Sequence, residues 1–159
     1  MGLRKTDLFQ GEVPQTGLGD WYANLFKISR YKCIIFTNAL TLFSLFHFSA
    51  RKKDIQNLSE LFMDELYSAL VYEQFPNPVV GSIMESHCHI QYAPTINKQI
   101  LGSMNDFVRC YEQRLSYVGE INLDSLTETN AKLNRMPMKA IGYNRPIEEL
   151  KKALVFRRQ

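Results

Sequence analysis

The sequence predicts an α+β fold: an antiparallel sheet of four or more strands with three or four helices packed mainly on one face. Three observations lead there. Between Trp21 and Phe48, apolar and β-branched runs follow one another across short turns, as in an antiparallel meander. From Ile55 onward the apolar spacing changes to three and four, the period of helices. The chain has 159 residues, of which 45% are hydrophobic and 22% charged, enough for one domain with its own core and too apolar for disorder.

Residues 1–20 contain Gly11, Pro14, Gly17 and Gly19 without a clear period and read as an N-terminal arm or loop, leaving 21–159 as a single α+β domain. Trp21 to Lys27 is a strand candidate, and Ser29-Arg30-Tyr31 turns the chain. Lys32 to Thr37 is apolar on both faces, which predicts a central strand with its far side covered. Asn38-Ala39-Leu40 makes a tight connection to a third run, Thr41 to Phe48. Asp54 is a cap for the next helix, whose stripe runs through Ile55, Leu58, Leu61, Phe62, Leu66, Ala69 and Leu70 until Pro76 and Pro78 end it. Val79 to Tyr92 reads as a half-solvated strand, with Ser86, Cys88, Ile90 and Tyr92 opposite Glu85, His87, His89 and Gln91. Ser103 followed by Asp106 reads as a capping box opening a helix through Met104, Phe107, Val108, Tyr111, Leu115 and Val118, with Gly119 as its stop. Asp124 to Asn134 is a short helix broken by Pro137. Pro146 starts the last, with Glu148 and Glu149 at its positive end and Lys151-Lys152 further along.

A formal charge of +3 falls short of a nucleic-acid signature, and the basic residues come in small separate groups. Cys33, Cys88 and Cys110 cannot all pair within the chain, which points to a reducing, cytoplasmic setting. No apolar segment follows the basic start, so no signal peptide is expected. The Cys33–Phe48 run is short and interrupted by polar residues, so no membrane span is expected either. Met1-Gly2 with Thr6 and Asn57-Leu58-Ser59 match myristoylation and glycosylation patterns formally, and both are discounted.

The strongest site character lies in Asn97 to Asp106. A helix starting at Ser103 presents free N–H groups beside Lys98, which suits an anion, although Ser103 and Asp106 can fill those donors themselves. His87, Cys88 and His89 invite a metal reading, but strand alternation separates the thiol from the imidazoles. No metal site and no cofactor are expected. Trp21, Tyr22, Phe26, Tyr31 and Phe36 with Arg30 and Lys32 are of the types that stack nucleic-acid bases, without the dense basic stripe that usually accompanies them.

Trp21-Tyr22-Ala23-Asn24-Leu25-Phe26, Arg30 with Lys32-Cys33, Phe36-Thr37-Asn38, Thr41, Ser44 and Leu101-Gly102-Ser103-Met104-Asn105-Asp106 carry a resemblance. Asn134, Pro137-Met138 and Pro146-Ile147-Glu148 extend it. On these the chain resembles a family of uncharacterised, mainly bacterial domains, which implies a fold unit and no mechanism. Two places depart from its pattern: Lys98-Gln99 stand where an arginine–serine pair is usual, and Arg30-Tyr31 where two arginines are. Lysine keeps the charge without the bidentate fork of arginine.

Three functional readings follow, and the sequence does not decide between catalysis and binding. The leading one is a small cytoplasmic accessory or protein-interaction domain, with a protein partner or a second copy meeting a polar surface of Arg30, Asn38, Thr41, Lys98, Ser103, Asn105 and Asp106. The second is a nuclease or nucleotide-acting, toxin-like enzyme with His87 or His89 as base, Asp106 orienting it and Lys98 facing phosphate. The third is nucleic-acid binding without catalysis.

Overall fold

The computed structural model describes residues 18–87 and 96–155, and its strands are β1 (Trp21–Ile28), β2 (Tyr31–Asn38) and β3 (Ser44–His47). They form an antiparallel meander in the order β1-β2-β3, with Trp21 opposite Asn38, Ile28 opposite Tyr31 and Thr37 opposite Ser44. Ser29 turns the first hairpin in the left-handed conformation, at φ 53°. Six helices complete the described residues: α1 (Lys52–Gln56), α2 (Leu58–Tyr72), α3 (Asn77–Ser86), α4 (Lys98–Ser116), α5 (Leu123–Leu133) and α6 (Pro146–Val155).

This overturns the expected fold class: the described residues hold three strands and six helices, not four or more strands with three or four helices, and the helices are not confined to one face. The cause of the two-sided covering is visible in β2. Its register sends Ile34 and Phe36 to one face and Cys33 and Ile35 to the other, and all four are buried. On the first face, Ile34, Phe36 and Leu45 pack with Leu58, Phe62, Leu66 and Leu70 of α2, Val80 and Ile83 of α3, and Ile147 and Leu150 of α6. On the second, Ile35 and Phe46 pack with Ile100, Met104, Phe107, Tyr111 and Leu115 of α4 and Leu133 of α5. Three layers result.

Two local misreadings account for the counts. The first part of the strand expected from Val79 to Tyr92 is helical: Asn77–Ser86 is α3, and residues 88–92 of that prediction, Cys88 and His89 included, lie outside the described residues. Pro78 falls in the first helical turn, where no N–H is required, and Val80 with Ile83 then bury at helical spacing. The single helix expected from Asp54 starts instead at Lys52 and breaks at Asn57 (φ −110°, ψ 48°) into α1 and α2. Asp54 still serves that start, its carboxylate accepting the Arg51 N–H at 2.7 Å, which holds its carboxyl below the usual range.

Tyr111 sits at the centre of the second layer, stacked on Phe46 at 4.3 Å between ring centroids and edge-on to Phe26 at 6.3 Å. Its hydroxyl is buried without a hydrogen-bond partner, and burial pushes its pKa far up. An unmet buried hydroxyl costs about 1–3 kcal/mol, so Tyr111→Phe should hold the unfolding free energy in urea or raise it by up to about 2 kcal/mol. A loss of more than about 1 kcal/mol would show that the hydroxyl is bonded in solution.

Candidate functional site

Asn97 caps α4, its side-chain oxygen accepting the N–H groups of Gln99 at 3.0 Å and Ile100 at 3.2 Å. The helix therefore begins more than a turn before Ser103, and Ser103 with Asp106 is not a capping box. Gly102, Ser103, Asn105 and Asp106 all lie inside the helix, on which Ile100, Met104 and Phe107 lead the buried stripe. The N-terminal donors that suited an anion are partly taken by the cap of the helix itself.

Opposite this half of α4 lies a 3-10 turn, Lys139–Ile141, held by Met138 N–H donating to the Asn144 carbonyl at 3.0 Å and Tyr143 N–H to the Met138 carbonyl at 2.9 Å. Gly142 (φ 65°) and Tyr143 (φ 63°) supply the left-handed backbone that closes it. Between helix and turn runs an open groove of about 360 Å³ lined by Gln99, Gly102, Ser103, Asp106, Met138, Lys139 and Ala140.

Two features mark this groove. Gly102 is exposed inside a helix at ordinary backbone angles, and a Cβ added there would meet nothing within 4 Å. Glycine at such a position costs about 1 kcal/mol against alanine. Ser103 is only 6% exposed, yet its hydroxyl has no hydrogen-bond partner among the described residues.

Of the residues expected at a site, Ser103 and Asp106 share the groove, while Lys98 and Asn105 are exposed on α4 outside its lining. Arg30 is exposed at the first hairpin, where its guanidinium donates to the Tyr31 hydroxyl at 3.1 Å and lies over the ring at 5.2 Å. Asn38 and Thr41 are buried and bonded to each other. The Asn38 Oδ1 accepts Thr41 N–H and Oγ1–H, each at 2.9 Å, and its Nδ2 donates to the Leu18 carbonyl at 2.8 Å. That pair shapes the β2–β3 turn.

His87 caps α3 on the other side of the sheet, between Trp21 and Phe62. Its Nδ1 faces the Ile83 carbonyl at 2.7 Å and its Nε2 receives the Trp21 indole N–H at 3.1 Å, an arrangement that needs the neutral ring with its proton on Nδ1. The sheet separates it from Asp106, so His87, Asp106 and Lys98 do not share a cleft. Strand alternation also divides the aromatics expected to stack bases: Trp21 and Phe36 pack on Phe62, whereas Phe26 packs on Tyr111. Among the described residues no group of three or more His, Cys, Asp or Glu is placed to hold a metal ion, and no helix is long and apolar enough to cross a membrane.

Sequence reasoning missed Lys139, Met138 and Ala140, whose position depends on how the turn folds back against α4; the Gly142 and Asn144 turn chemistry was the available signal. It also missed His47, whose Nδ1 lies 2.7 Å from Glu65 of α2 and whose Nε2 lies 3.7 Å from Asp54 of α1. The hydrogen bond to Glu65 raises the His47 pKa, burial opposes it, and the charges of Glu65 and Asp54 assist. A folded pKa above the unfolded value of about 6.5 means stability fully present below that pH and lost as pH rises through the folded pKa. Glu65→Gln should therefore cost up to about 1 kcal/mol near pH 6 and almost nothing near pH 9, read from urea unfolding across that range. A cost that grows with pH would reverse the assignment.

The lining of the groove offers hydrogen bonds from Gln99 and Ser103 and opposite charges from Asp106 and Lys139. A family model described as Domain of unknown function (DUF6933) matches residues 3–149. No curated protein and no solved structure matches the chain.

Proposed function

We propose that this chain, which belongs to the family described as Domain of unknown function (DUF6933), is an interaction module that seats part of a protein partner in the groove between α4 and the Lys139–Ile141 turn. The observation that carries this reading is Gly102: neither backbone conformation nor packing calls for glycine there, and its missing side chain keeps the groove open beside the unpartnered Ser103 hydroxyl. Selection for stability alone favours alanine at such a place. Free thiols at Cys33, whose pKa burial pushes up, and at Cys110 support a reducing, cytoplasmic setting.

The test separates stability from binding at one position. Gly102→Ala should raise the unfolding free energy by about 0.5–1 kcal/mol, because it adds helix propensity without a clash. Gly102→Gln should stay folded while its side chain occupies the groove. Immobilised wild type and Gly102→Gln are then compared in an extract of the source cells. The reading expects a protein retained by the wild type and lost by Gly102→Gln, with the same protein protecting the amides of Gly102, Ser103 and Lys139 from hydrogen exchange. Equal retention by the folded variant, or protection confined to another surface, rejects it.

A further inference from the structure

Resting on the groove as the surface that seats a protein partner, we infer that the seated segment carries an acidic and a basic side chain one or two residues apart. Asp106 stands on the α4 wall and Lys139 on the turn wall, yet the two form no ion pair with each other. Asp106 has one distant contact, Arg109 at 4.0 Å with both side chains largely exposed, and Lys139 has no ion pair among the described residues. A purely anionic ligand would meet the Asp106 carboxylate, and a purely cationic one would meet the Lys139 ammonium. An apolar ligand would strip water from both charges without replacing it. A ligand of both signs answers each.

The remaining lining suits a peptide unit between those charges. The Ser103 hydroxyl and Gln99 amide can each donate and accept, matching an amide N–H and C=O, while Met138 and Ala140 offer apolar contact. A volume of about 360 Å³ lies at the small end of ligand sites and fits two or three residues. In a segment of a protein partner the two charges are an acidic and a basic side chain, not free peptide ends.

The experiment follows amide shifts of the labelled, full-length protein titrated with diglycine, acetylglycine and glycinamide, which carry both charges, only the negative one and only the positive one. A fourth probe, acetyl-Asp-Gly-Lys-amide, keeps both charges on side chains. The blocked peptide should bind about threefold or more tighter than any of the other three probes, moving Gly102, Ser103, Asp106, Lys139 and Ala140. Diglycine binding more tightly than the blocked peptide would assign the charges to free ends and overturn the internal segment. Asp106→Asn and Lys139→Met, both at exposed positions, should each remove that preference while leaving thermal unfolding unchanged. Equal binding by all four probes, or no shift in the groove, overturns the inference. If Gly102-dependent partner retention survives that result, the groove remains the binding surface and only its charge chemistry is rejected.

Discussion

Asn134→Ala should lower the unfolding free energy by about 2–4 kcal/mol. Asn134 follows α5 and is 1% exposed. Its Oδ1 accepts the Ser44 N–H at 2.8 Å, its Nδ2 donates to the Ser44 carbonyl at 2.8 Å, and its own carbonyl accepts the Ile147 N–H at 3.0 Å. The amide thus pairs with β3 as a one-residue strand would, and the backbone beside it anchors the start of α6. Alanine would keep the last bond and leave a buried N–H and C=O of Ser44 unmet. For a chain of this size the midpoint of thermal unfolding should fall by roughly 5–15 °C. Asn134→Asp, which keeps the acceptor but loses the donor, should not rescue it. A urea-derived loss below about 0.5 kcal/mol would mean that water replaces the amide.

Phe107→Ala should cost about 3–5 kcal/mol, and Leu66→Ala on the opposite face of the sheet about 2–5 kcal/mol. Both side chains are fully buried, and the Phe107 ring meets Phe46 edge-on at 6.4 Å. The pair tests the three-layer arrangement directly. A sheet covered mainly on one face would leave one of the substitutions cheap, below about 1 kcal/mol, because only one would open a cavity. The double variant should show the sum within about 0.5 kcal/mol, since the two residues lie in separate clusters. Urea unfolding of the three variants decides it.

The meander was legible because strand periodicity is local: alternation and a short turn specify a hairpin with little help from elsewhere. The apolar run at Cys33 to Phe36 even foretold a central strand covered on both sides, although the predicted placement of helices did not use it. α3 was misread because the alternation of Ser86, Cys88, Ile90 and Tyr92 with Glu85, His87, His89 and Gln91 was carried back over Val79 to Met84, and the two prolines suggested an end rather than a beginning. The start of α4 was misread because Ser103 and Asn97 are both capping types, and the better cap is the one that leaves Ile100 in the buried stripe.

For the candidate site, the sequence by itself pointed to one segment, Asn97 to Asp106, by residue type and proximity. Gln99, Gly102, Ser103 and Asp106 of that segment line the groove. Tertiary structure decided what faces them. It brought Lys139 across from a turn far along the chain, set His87 behind the sheet and buried Asn38 and Thr41 in a turn of their own. The physical reason is that sequence periodicity records which face of each element is apolar, whereas a groove is made where two polar faces meet. That meeting is settled by the packing of the apolar sides, Ile35 and Phe46 against Phe107 and Leu133, and it leaves no local pattern along the chain.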